Sequence, residues 1–441
     1  MASFFASDAL LPDGWAKNVR VEVDSSGSFL SVTANSDPKN SEKLPGPALP
    51  GMANLHSHAF QRAMAGLAET RGASEDDFWS WRELMYKFVE RLTPDGARAI
   101  ATQLYIEMLK HGYTAVGEFH YVHDGSADML AGHLEAAKKA GIAITLLPSM
   151  YQWSNFGRKP LQDRQRRFAS DPKFVLELVN SINTTPDIRV GASPHSLRAA
   201  DPGSLKELVG ALPNGTPIHI HVAEQMKEVD ECVAALGKRP VEWLLDNFKV
   251  DARWCLVHAT HMTPQETTAL AKSGATAGLC PTTEANLGDG IFPLPAYRAA
   301  GGRYGIGGDS HVSRDPVEEL RLLEYAQRLT ARRRNLVVGR KTAAVGTTLW
   351  LEAAAGGIAL GRKMGAIAPG QRADLVVLDP GQPDLSGRGG DAIANALIFS
   401  GSTNLVRDVM VGGAWKVRQG KHPMENEADS AYKRAVAGLI A

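Results

Sequence analysis

Residues 50–58, Pro50-Gly51-Met52-Ala53-Asn54-Leu55-His56-Ser57-His58, form a short apolar run that ends in two histidines one residue apart. In an extended chain, side chains at i and i+2 leave the same face, so His56 and His58 converge at the end of such a strand. Working outward, further candidate strands occur at 114–119, 142–147, 188–192, 217–220, 254–257, 275–279 and 304–308, with helical patterns between them. The clearest helix puts Ala97, Ile100, Ala101, Leu104, Tyr105, Met108 and Leu109 on one face and stops at Gly112. Strands alternating with helices over this length predict an α/β fold, a (β/α)8 TIM-type barrel. An open doubly wound sheet is the alternative, but no Gly-rich phosphate loop follows the first strand to support it.

The chain ends read differently. Residues 15–34 alternate apolar positions (Val19, Val21, Val23) with turn formers, and 373–379 and 406–417 are short β runs near the other end. They predict a small β-sandwich module formed from both termini, residues 1–48 and 368–441, around a barrel at 49–367. A helical pattern at 432–439 closes the chain. Lys plus Arg equals Asp plus Glu at 48 each, so nothing in the charge balance calls for nucleic acid or an anionic membrane as partner. Cys232, Cys255 and Cys280 are odd in number and widely spaced, which argues against a disulfide framework and for a reducing compartment. Asp8, Pro12 and Asp13 break the apolar character of the N-terminus, and no stretch reaches the ~20 apolar residues of a membrane span, so a cytoplasmic protein is expected.

In such a barrel, chemistry gathers at the C-terminal ends of the strands. The fifth candidate strand ends Ile218-His219-Ile220-His221-Val222-Ala223-Glu224. His219 and His221 share a face; His221, nearer the rim, is the expected ligand, and His219 sits one layer deeper as a hydrogen-bonded core residue. The sixth strand ends at His258 and the eighth at Gly307-Gly308-Asp309-Ser310-His311. Imidazoles and one carboxylate from separate strands suit a borderline ion such as Zn²⁺ or Fe²⁺. The bland alternatives are a His258 bonded to a buried carbonyl, an Asp309 capping the next helix, and a Glu224 in a surface loop.

PGMANLHSH at 50–58, HIHVAE at 219–224, LVHA at 256–259, GDS at 308–310 and GAIAPGQRADLVVLD at 365–379 together resemble the amidohydrolase superfamily. Within it, NLHSHAFQRAMAGLAE at 54–69, ASPHSLRA at 192–199 and HIHVAEQ at 219–225 are similar to the formimidoylglutamate deiminase family of histidine degradation. That resemblance implies one Zn²⁺ per subunit, held by His56, His58, His221 and Asp309, with Fe²⁺ compatible with the same donors. The fourth-strand region, 189–195, offers no lysine of the kind that bridges two metals in binuclear relatives, which favours a single ion. The resemblance also implies that water activated by the ion attacks the formimidoyl carbon of N-formimidoyl-L-glutamate, releasing ammonia. Glu224 would shuttle the proton, and His258 and Asp309 would hold the water and the developing tetrahedral centre. A nucleobase or aminotriazine deaminase is the alternative. The dicarboxylate substrate would be bound by Gln61, Arg82, Tyr121, His195 and Arg198; Arg82 is the weaker member, since Trp79 and Trp81 beside it are equally explained by packing. The aromatic-rich insertion at 68–93 fits a lid or an oligomer interface, and a homodimer is the expected assembly.

Overall fold

The computed structural model describes residues 2–71 and 78–440. Its centre is a ring of parallel strands: Met52–Ser57, Tyr113–His120, Ala143–Met150, the split pair Ile188–Val190 and Ser193–Pro194, Ile218–Val222, Trp254–His258, Thr276–Leu279 and Arg303–Ile306. The last strand returns to the first, with Ile306 opposite Asn54, and an Ala192–Ile218 bridge joins the fourth to the fifth. The barrel is therefore closed, as the alternating pattern predicts. Six of its strands are buried at every residue. This accounts for their near-continuous apolar sequences, because a parallel sheet is covered on both faces.

The helices start where the sequence supplies a cap followed by proline. Asp171, Asp201, Thr263 and Asp315 each accept a bond from the first turn of the helix they precede, and proline fills the following position. Closure of the ring also depends on a missing side chain. A Cβ on Gly307 would come within 2.8–2.9 Å of the backbone N and O of His56, so only glycine lets the eighth strand lie against the first histidine of the site.

Both chain ends feed one further eight-stranded sheet. Its order runs Ala414–Val417, Val406–Val411, Leu375–Leu378, Ala48–Pro50, Ala2–Leu11, Gly14–Val23 and Phe29–Thr33, with Glu42–Lys43 pairing on Ala2–Leu11. Phe4, Val21, Phe29, Leu375, Val377 and Met410 form its own apolar core. The terminal helix Glu425–Ile440 packs on the barrel helix Pro94–Lys110, where Lys110 and Glu425 pair at 2.8 Å and Leu439 is buried.

All three cysteines are free and buried. Among the described residues no helix is long and apolar enough to cross a membrane. Within the insertion at 68–93, residues 72–77 lie outside the described residues; its helix Phe78–Arg91 borders the cleft at the barrel mouth.

Candidate active site

At the C-terminal mouth of the barrel the Nε2 atoms of His56, His58 and His221 face one another, with separations of 3.1, 3.3 and 3.0 Å. Three mutually facing imidazole nitrogens cannot all be paired by N–H bonds, whereas they suit a shared cation: tetrahedral ligation at the usual Zn–N distance separates neighbouring nitrogens by about 3.3 Å. Asp309 brings Oδ1 to 3.5 Å from Nε2 of both His56 and His58. The opposite ring nitrogens set the tautomer. Nδ1–H of His58 donates to Phe119 O at 2.8 Å and that of His221 to His195 O at 2.9 Å, leaving each Nε2 lone pair pointing inward. Burial, reinforced by neighbouring imidazoles, holds His56 and His221 well below the usual histidine range; burial also lowers His58. Neutral rings and one carboxylate are the donor set a divalent ion requires.

The loops here are held in a costly conformation. Ala223, His258, Ala259, Asp309 and His311 all have positive φ, between 48° and 66°, although none is glycine. Such strain persists where the surroundings over-determine it and collects at functional sites.

His258 bridges three acids. Its Nδ1 lies 3.2 Å from Glu284, and its Nε2 lies 3.7 Å from both Glu224 and Asp309. Burial disfavours its charge, but the carboxylates Glu224, Glu284 and Asp309 prevail and hold it well above the usual imidazole range. Burial pushes Glu224 up to about 7, with Asp309 and Glu228 adding to the effect and His258 opposing it. Glu228 in turn fixes the strand end by accepting from the backbone N–H groups of Ala223 and Glu224, both at 3.1 Å.

Gln61, Arg82, Tyr121, His195 and Arg198 all line the same cleft as His58, His221, Glu224, His258 and Asp309. Gln61 donates to Tyr121 OH at 2.7 Å. The guanidiniums of Arg82 and Arg198 lie 5.7 and 5.8 Å from the centre of the Trp79 ring, and Lys227 Nζ lies 4.4 Å from it. Aromatic packing and a cleft-facing Arg82 thus coexist. The bland alternatives fail one by one. His258 bonds a carboxylate, Asp315 rather than Asp309 caps the next helix, and Glu224 is largely buried. His219 takes the deeper place expected of it, bonded to Ala359 O at 2.9 Å.

Sequence reading passed over four acceptors and donors around this site. Glu284 lies in the first turn of the short helix Pro281–Leu287, accepting from Cys280 N at 2.9 Å as well as meeting His258. Asp289 is buried beside Glu224 and His258, accepts from the Gln225 side chain, and is pushed up to about 9 by burial and by Glu224. Glu118 accepts from Ser57 Oγ at 2.6 Å and Ala59 N at 2.9 Å, gripping the His-x-His segment from the second strand. Tyr151 meets Arg82 at 2.7 Å. The "CPTTE" stretch at 280–284 and the acid on strand two carried a signal only in that they are polar residues adjoining strand ends.

A closed parallel barrel with a cluster of imidazole and carboxylate donors at its mouth defines the class of barrel hydrolases, and the chain belongs to the amidohydrolase family, whose pattern, described as Amidohydrolase family, matches residues 48–416. More narrowly, it is 50% identical over 452 aligned residues, spanning all of both chains, to the formimidoylglutamate deiminase of Pseudomonas aeruginosa. Residues 1–46 match the pattern described as Formimidoylglutamate deiminase HutF, N-terminal domain. Among solved structures, an amidohydrolase from Brucella melitensis superposes with a TM-score of 0.94 at 46% identity, over 100% of each chain. An adenosine deaminase from Xanthomonas campestris with bound zinc gives 0.82 at 20% identity, over 99% of this chain and 98% of that one, and speaks to the fold alone.

Proposed function

We propose that this chain hydrolyses N-formimidoyl-L-glutamate to N-formyl-L-glutamate and ammonia, a deamination in histidine degradation. The full-length likeness to the Pseudomonas aeruginosa enzyme supports the reading. The structural observation that carries it is one cleft lined both by metal-type donors and by two guanidiniums, those of Arg82 and Arg198. A substrate with an electrophilic amidine carbon and two carboxylates needs both. We assign the hydrolytic chemistry to residues 49–367, since every candidate site residue lies between 56 and 309, and a supporting role to the module of 1–48 and 368–441.

His56, His58, His221 and Asp309 would hold one divalent ion, with Zn²⁺ the first choice and Fe²⁺ compatible with the same donors. Such an ion supplies Lewis acidity that makes water nucleophilic near neutral pH. The protein's own groups do the rest. Glu224, whose carboxyl titrates near 7, accepts the attacking water's proton and passes it to the departing nitrogen. His258, held cationic by its acids, donates from Nε2 toward the tetrahedral centre while Glu284 fixes its ring. Arg82 and Arg198 offer planar forks to carboxylate, and Gln61, Tyr121 and His195 add donors along the wall.

Ammonia release by metal-replete protein is the test, on formimidoylglutamate beside guanine, cytosine and adenosine. Turnover of the amino acid alone is expected. Turnover of a nucleobase without the amino acid rejects the reading in favour of a heterocycle deaminase.

A further inference from the structure

Behind Arg82 lies a hydrogen-bond arrangement that can be counted atom by atom. Gln165 is buried, and its Oε1 accepts from the backbone N–H of Gln162 at 3.0 Å. That contact fixes which end of the amide carries nitrogen, because a backbone N–H can only donate. Nε2 of Gln165 then donates both its hydrogens, to Tyr86 OH at 3.0 Å and to Tyr151 OH at 3.2 Å. Arg82 Nη2, which can only donate, also points at Tyr151 OH, at 2.7 Å. The phenolic oxygen of Tyr151 therefore accepts twice, which uses both of its lone pairs and leaves its own proton to be given away. Among the described residues no hydrogen bond takes that proton, and Tyr151 lines the cleft together with Arg82 and Arg198.

We propose that Tyr151 is a substrate-binding residue, donating its phenolic O–H to the substrate carboxylate that Arg82 engages; this rests on the dicarboxylate reading above. The metal-type donors mark the end of the cleft where the formimidoyl carbon reacts. Arg82 and Arg198 line the cleft with Tyr151, and the proposal gives them the side-chain carboxylate, the one farther from the reacting carbon. There the carboxylate accepts from a guanidinium and from the phenol that the same guanidinium polarises, a closed ring of charge-assisted bonds. Gln165 is the positioning residue behind it: by filling one phenol lone pair it turns the O–H toward the cleft.

The test compares wild type and Tyr151→Phe, which keeps the ring and its packing. The substrates are formimidoylglutamate and N-formimidoyl-2-aminobutyrate, which retains the α-carboxylate and lacks the distal one. Expected is a loss of kcat/KM of about 10- to 100-fold on formimidoylglutamate, carried mainly by KM, with no more than about a twofold change on the truncated compound. Metal content and melting temperature should match wild type. Equal losses on both substrates, or none on formimidoylglutamate, overturn the proposal. In an Arg82→Ala background, Tyr151→Phe should still cost at least about fivefold on formimidoylglutamate, because the phenol contacts substrate itself; no further loss would mean that it acts only by holding Arg82, and overturns direct donation. The two readings fail separately: a wild-type enzyme that turns over formimidoylglutamate while Tyr151→Phe is silent removes Tyr151 alone, whereas no wild-type turnover removes both.

Discussion

Replacing Glu224 by glutamine changes one atom of the side chain and removes its capacity to carry a proton. The structure sets the size of the effect. Glu224 is largely buried, 3.7 Å from His258, and its carboxyl sits at about 7 rather than 4.5. A group with that pKa is matched to taking a proton from water and returning it to a leaving amine near neutrality, and such general acid–base help is worth about 10²- to 10⁴-fold. Glu224→Gln should therefore lower kcat by that factor, equivalent to roughly 3–5 kcal/mol of barrier. The wild-type profile carries a second signature. Glu224 must start ionised, so kcat should rise with pH through about 7 and level off above it. At pH 6 about a tenth of the plateau remains, since one unit below the pKa about a tenth of the groups are ionised. Ammonia release would be followed from pH 5.5 to 9 in both proteins, with metal content measured on the same samples. The variant should keep its metal and lose the acid limb. A variant within tenfold of wild type, or one that retains the same limb, refutes the proton-shuttle assignment.

Arg198→Ala should raise KM for formimidoylglutamate by about 10²-fold with a smaller change in kcat, since it removes a charged partner present before and during reaction; steady-state kinetics check it. Gly307→Ala drives a Cβ into the His56 backbone, so it should cost about 1–3 kcal/mol in denaturant unfolding and weaken metal retention. For stability against pH, burial raises Glu118 from 4.5 to about 7. The favourable contribution of its protonated form is full below 4.5 and fades as pH rises to about 7, a swing of roughly 3 kcal/mol. Glu118→Gln should gain on wild type over that interval, as read from urea midpoints at each pH, and parallel curves would count against it.

Much of the site was legible because strand periodicity and strand ends are local properties. His56 and His58 declare themselves by alternation on one strand, and the apolar runs that end at Val257 and Gly308 place His258 and Asp309 on the same rim once a barrel is assumed. The supporting groups were not legible in that way. Glu284 reads as an ordinary first-turn acid of a helix beginning Pro281-Thr282-Thr283, and only the folded ring brings it to His258. Gln165 lies in the short 3-10 helix Asp163–Phe168, too short for a period to mark a face, and its contacts with Tyr86 and Tyr151, distant from each other in sequence, exist only in the folded chain. The terminal helix shows the same limit at larger scale: its amphipathic pattern announces a buried face, but not that the face meets Pro94–Lys110 across the chain.

We propose that release of ammonia from formimidoylglutamate requires one divalent ion held by His56, His58, His221 and Asp309. This requirement is tested by stripping the protein of metal and following that activity as Zn²⁺ is added back in fractions of an equivalent. Activity should rise linearly and break at one equivalent per chain. Full activity in the stripped protein, or a break at two equivalents, would contradict the account.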